Sequence, residues 1–175
     1  DYLLKCLEVV SSKVGNIELN IYGRGNCESV LDKYNDCKTF KVIRHGLINH
    51  DDIIKAMMDS DILINISNKI QGAVPSKIFE MFSTGKPIIN LIFDKNDITI
   101  QYFNKYPAVY NVLIWKDFNN QVKEMTEFIN NVKNKTFDIN SIKESFIENT
   151  PEYTVDIIEK YLKLDNVEAQ NHEGK

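Results

Sequence analysis

Cysteine is scarce and unpatterned in this 175-residue chain. Cys6, Cys27 and Cys37 are odd in number and carry no CxxC pair or histidine spacing, which excludes a disulfide framework and a structural zinc site. No metal is expected, and the expected compartment is the reducing cytoplasm. A surplus of positive charge is missing too. The chain has 21 Lys and Arg against 25 Asp and Glu, a net charge of −4, whereas a nucleic-acid surface needs cations gathered on one face. Nucleic acid is therefore not an expected partner. Long apolar runs are absent: the stretch 87–93 falls well short of the roughly 20 residues that cross a bilayer, and the first residues show no signal-peptide pattern. Attachment to the inner face of a membrane through another part of the protein stays open. No repeat, low-complexity tract or linker divides the chain.

What is present suits one compact domain, with 43% hydrophobic and 26% charged residues. Residues 1–10 read directly as an amphipathic helix with Asp1 placed as its cap, as if the chain began inside a larger fold. Residues 17–22 alternate like a strand and stop at Gly23-Arg24-Gly25. A polar helical segment over 27–34 precedes a strand over 40–44, then His45-Gly46, then a helix over 51–59. The run 61–66 is short and nearly continuously apolar, as for a strand buried on both faces of a parallel sheet. Pro75 precedes Ser76-Lys77-Ile78-Phe79-Glu80, a helix opening with proline in its first turn and ending at Gly85. Strands over 87–93 and 109–115 flank a helical stretch over 97–105, and helical periodicity takes over from Phe118.

This alternation predicts an α/β fold. It would be a single Rossmann-like, doubly wound parallel sheet with helices on both faces, followed by extra C-terminal helices. The domain is expected to span 1–164, with 165–175 a polar tail lacking periodicity, frayed or disordered. Ligands of such sheets bind at the C-terminal ends of the strands. Three segments should therefore converge on one cleft: Gly23-Arg24-Gly25-Asn26, Arg44-His45-Gly46-Leu47, and Pro75-Ser76-Lys77 through Glu80.

The third segment carries the clearest chemistry. A helix N-terminus offers unpaired N–H groups and partial positive charge to a phosphate, with the Ser76 hydroxyl and Lys77 ammonium as further donors. Glu80, one turn beyond Ser76, can accept hydrogen bonds from two adjacent ribose hydroxyls. Taken by itself, it reads more readily as a solvated helix residue. Gly23-Arg24-Gly25 could bring the backbone close to a phosphate or be a plain turn, since it lacks the third glycine of a dinucleotide fingerprint. A lone histidine such as His45 is more often structural than catalytic.

The run Val74-Pro75-Ser76-Lys77-Ile78-Phe79-Glu80-Met81-Phe82-Ser83-Thr84-Gly85-Lys86-Pro87-Ile88-Ile89 resembles the donor-binding signature of bacterial retaining GT-B glycosyltransferases. Leu19 to Gly25 resembles the family's glycine turn, Val42 to Leu47 its base-side strand end, and Asp59 to Asn65 its following strand, in the family's order. Thr150-Pro151-Glu152-Tyr153 and the helix after it resemble the close of such domains. The resemblance implies a nucleoside diphosphate-sugar donor, a UDP-sugar favoured. It puts Glu80 on the ribose, Pro75, Ser76 and Lys77 at the diphosphate, and the backbone from Arg44 to Leu47 around the base. It also implies metal-independent transfer, with a helix dipole and basic side chains offsetting the leaving-group charge.

Two departures stand out. Gly72, preceded by Gln71, occupies the position eight before Glu80 at which many relatives carry a further acid. A GT-B enzyme also has two domains of comparable size, and only the C-terminal one is represented. The acceptor-binding half, the catalytic groups and a basic residue on the domain's first strand would lie elsewhere, leaving the catalytic residues unknown and this chain alone inactive. The expected role is the donor-binding half of a glycosyltransferase of surface polysaccharide or glycolipid synthesis. The competing readings are a standalone nucleotide-binding subunit that needs a separate acceptor-binding partner, a fragment of a nucleotide-sugar epimerase, and a domain for some other phosphorylated ligand.

Overall fold

The computed structural model describes residues 1–67 and 74–172, the last ten as helix backbone alone. The chain opens with α1 (Tyr2–Val14), β1 (Ile17–Tyr22) and α2 (Glu28–Leu31), which runs into a 3₁₀ turn at Asp32–Tyr34. β2 (Phe40–Gly46), α3 (His50–Asp59), β3 (Leu63–Ile66) and α4 (Lys77–Phe82) follow. Then come β4 (Ile88–Ile92), α5 (Ile100–Phe103), β5 (Val109–Leu113) and α6 (Phe118–Val132). The chain closes with α7 (Ile139–Ser145), a 3₁₀ turn at Ile147–Asn149 and α8 (Pro151–His172). α8 thus continues through most of the segment expected to be a frayed tail.

Among the described residues the class is α/β and all strand pairs are parallel, but the strands form two sheets rather than one. β1 pairs with β2 as a ribbon, and β4 lies between β3 and β5 in the second sheet. The α/β class with parallel strands holds, while a single continuous sheet is not confirmed. Periodicity reports which face a strand buries; it carries no information on which strands are neighbours.

Two cores account for the packing. The first gathers Leu7 and Val10 of α1, Leu31 of α2, Ile89 and Leu91 of β4, and Val122 and Met125 of α6, with Leu19, Val42 and Ile64 packed against it. The second gathers Met57 of α3, Leu63, Ile88, Ile78, Met81 and Phe82 of α4, Phe103, Ile142 and Phe146. Ile88 enters the second core and Ile89 and Leu91 the first, as the period of two requires, and all five residues of β4 are buried. The ribbon contributes Ile17, Leu19 and Val42 to the first core, while Glu18, Asn20 and Lys41 remain exposed.

Buried polar groups tie the layers together. Asn65, Asn90 and Asn111 stand in register across β3, β4 and β5. The Asn65 amide donates to Asn90 at 2.8 Å, and Asn90 donates to Asn111 at 3.0 Å. Gln121, fully buried, accepts from the Leu113 N–H at 2.6 Å and donates to the Leu113 carbonyl at 2.7 Å and the Tyr2 hydroxyl at 2.6 Å. One side chain therefore joins β5, α6 and α1. Asp1 stands at the N-cap position of α1, but its carboxylate pairs with Lys5 at 3.2 Å and accepts from Tyr34 at 3.1 Å instead of capping the helix.

Candidate functional site

α4 is held by its buried side. Phe82 stacks between Tyr106 and Phe146, with ring centroids 4.7 and 4.8 Å away, and meets Phe103 edge-on at 5.3 Å. With Ile78 and Met81 also buried, only one side of the helix is left open. Ser76 and Lys77 are exposed there, and Glu80 is half-buried. None of the three side chains makes a hydrogen bond or ion pair with another described residue.

The helix starts later than the sequence suggested. Lys77 is its first residue and Ser76 its N-cap, so Pro75 precedes the helix rather than sitting in its first turn. The half-buried Pro75 still helps close the turn, since its carbonyl accepts from the Ile78 N–H at 3.2 Å. Ser76 has helical φ and ψ of −56° and −29°, and its hydroxyl does not cap the helix.

Much of the remaining signature is structural. Thr84 donates to the Met81 carbonyl at 2.6 Å, and Tyr106 donates to the Lys86 carbonyl at 2.7 Å. Burial pushes the Tyr106 hydroxyl well above its ordinary titration range, so it stays a donor. Gly85 has φ of 65°, and a Cβ there would stand 2.6 Å from the Phe137 carbonyl oxygen. Only glycine fits this turn between α4 and β4.

The other two segments meet at the C-terminal ends of β1 and β2. Tyr22 is in register with Gly46, and the Gly23 N–H donates to the Gly46 carbonyl at 2.6 Å. Gly23 and Gly46 have φ of 116° and 71°, which explains glycine at both. Gly25 has no such constraint, because a Cβ there would meet only the Cys27 sulfur at an ordinary 3.7 Å. No described hydrogen bond or ion pair links this corner to α4.

Side chains at this corner are largely committed to one another. The His45 ring stacks on Tyr22 at 4.4 Å and 10°, and its Nε2 lies 2.7 Å from Asn20 Oδ1. Arg44 turns back toward α2 and the following turn, pairing with Glu28 at 3.1 Å and Asp32 at 2.7 Å. The guanidinium holds the Asp32 carboxyl below its ordinary range, and Asp32 in turn raises Arg44. As a phosphate donor Arg44 is already neutralised, which leaves Arg24, exposed and without an ion pair to any described residue, as the cation of this corner. Leu47 is 67% exposed just beyond it.

Tyr22, Asn20, Glu28 and Asp32 were not singled out from sequence. Tyr22 had a signal, being the last residue before the glycine turn; the capture of Arg44 depends on tertiary placement and had none. Gln71 and Gly72 lie outside the described residues. An open hollow of about 690 Å³ after β4, bordered by Lys95, Asp97 and Gln101, includes none of the expected residues. Among the described residues no three His, Cys, Asp or Glu side chains gather as a metal site would need, and no helix is long and apolar enough to cross a membrane. No protein-family model matches the chain, and no curated protein matches it either.

Proposed function

We propose that the chain is the nucleotide-sugar-binding half of a GT-B glycosyltransferase acting on the cytoplasmic side, with the acceptor and the catalytic groups supplied by a second domain. The observation that carries this reading is Glu80. It is half-buried on a rigidly packed helix after β3, one turn from exposed Ser76 and Lys77, with no described partner. A carboxylate so placed suits a ribose diol, while the adjacent hydroxyl and ammonium suit a diphosphate. Arg24 offers a cation at the ends of β1 and β2, and the paired glycines leave backbone accessible there for a base.

Calorimetric titration with UDP and GDP, without added metal, tests the proposal. UDP is expected to bind, and Glu80→Ala to weaken it by about tenfold or more, the worth of hydrogen bonds to a charged group. Ser76→Ala should weaken it less. Equal UDP affinity in the parent and Glu80→Ala, or no affinity for either nucleotide, would overturn the assignment.

A further inference from the structure

The hollow past the end of β4 has a chemistry of its own. It is open, about 690 Å³ in volume, and bordered by the loop from Lys95 to Ile98, by Gln101 of α5 and by Asn104 at that helix's end. Pockets for apolar ligands are lined mainly by hydrophobic side chains with a few polar groups among them. Here polar side chains predominate. Asn96, Gln101 and Asn104 are carboxamides, each a donor and an acceptor on one plane. All three are exposed, and none of these side chains makes a hydrogen bond with another described residue. Gln101 and Asn104 are three residues apart and so share one side of their helix.

Two further groups give the hollow a direction. Asp97 Oδ1 accepts from the Thr99 N–H at 2.8 Å and from the Thr99 hydroxyl at 2.7 Å, which fixes the carboxylate. Its Oδ2 is closed off from solvent without a donor, the one side-chain atom so placed among the described residues. A buried acceptor left without a donor is costly, and a hydroxyl brought to it relieves that cost. Trp115 stands at the rim just past β5, 38% exposed. The Lys95 ammonium lies over its ring, 5.7 Å from the centroid. That is close to the limit of about 6 Å for a cation–π contact, so a ligand face can displace it at small cost.

We infer that this hollow is a carbohydrate-binding subsite, taking a neutral pyranose ring laid against Trp115 with its hydroxyls on the carboxamides. A pyranose offers a face of C–H groups that packs on an indole. Its adjacent hydroxyls each donate and accept, which matches the paired N–H and C=O of a carboxamide. Lys95, displaced from the ring, donates to a hydroxyl oxygen. Another hydroxyl reaches Asp97 once a rim side chain swings aside, and no hydrogen bond to a described residue restrains those of Lys95, Asn96 and Gln101. The remaining ligand classes fit less well. A phosphate would meet one cation and one carboxylate, and an apolar molecule would leave the carboxamides unpaired. The subsite requires neither Glu80 nor a nucleotide.

Trp115 is the chain's sole tryptophan, so its fluorescence reports on this rim alone. The test titrates the chain with methyl glycosides of glucose, galactose, mannose and N-acetylglucosamine, and with sorbitol as an open-chain polyol that has no ring face. At least one glycoside should shift the emission saturably, with a Kd of about 1 mM, and sorbitol should not. Gln101→Ala combined with Asn104→Ala alters only exposed side chains, so it should keep the fold and weaken that binding by about tenfold. Glu80→Ala should leave it unchanged. No saturable shift with any glycoside, an equal shift with sorbitol, or undiminished affinity in the double variant would overturn the inference.

Discussion

The two sheets of this molecule are built to different standards of enclosure. β3, β4 and β5 lie between two cores, with a fully buried β4 and a polar ladder running through them. The β1–β2 ribbon is packed on one face only, and its other face carries Glu18, Asn20 and Lys41 into solvent. The sealed sheet fixes α4 from beneath. The ribbon holds its corner by surface contacts, a ring stack and two ion pairs, which water and salt screen. Positional precision should therefore be greatest at Glu80 and looser at Arg24 and Leu47.

Substitutions in the two halves can break that comparison. Gln121→Leu leaves the Leu113 N–H and C=O buried without partners, and should lower unfolding free energy by about 2–4 kcal/mol in urea titrations. His45→Ala removes the ring stack on Tyr22 and the contact with Asn20 at the end of the ribbon, and should cost about 1 kcal/mol. If the second loss equalled the first, the contrast between a sealed and a one-sided sheet would fail.

The cysteines sharpen the same contrast. Cys6 is buried on the inner face of α1 and Cys27 is exposed beside the ribbon. Burial pushes the Cys6 thiol from an ordinary 9.0 up to about 11. A raised thiol keeps its proton longer in the folded state, so its stabilising contribution is whole below the ordinary value and is lost as pH climbs from 9.0 to about 11. Cys6→Ala should flatten part of the alkaline decline in Tm, the buried Tyr106 and half-buried Tyr110 keeping the rest. Alkylation at pH 8 should modify Cys27 about a hundredfold faster than Cys6 in the folded chain.

Much of this was legible in the residues. The largely apolar run around Ile88 to Ile92 announced a strand, and alternation through Ile17 to Tyr22 announced another. Gly23, Gly46 and Gly85 marked turns that need positive φ. Strand order was not legible, because it follows from the hand and face of each crossover. Nor was the fate of Arg44, since Glu28 and Asp32 reach it only once α2 has docked against the end of β2.

The three asparagines on adjacent strands bear on how the chain finds its pairing. Their side chains meet only when β3, β4 and β5 stand in the native alignment. Slide β4 by one residue and Asn90 turns its amide into the aliphatic packing of the opposite face, with no acceptor waiting, while Asn65 and Asn111 lose their common partner. Aliphatic residues alone would tolerate such a slip, one Ile or Leu replacing another. The amides act as a proofreading mark, so misaligned collapsed states are penalised before the outer helices close over them.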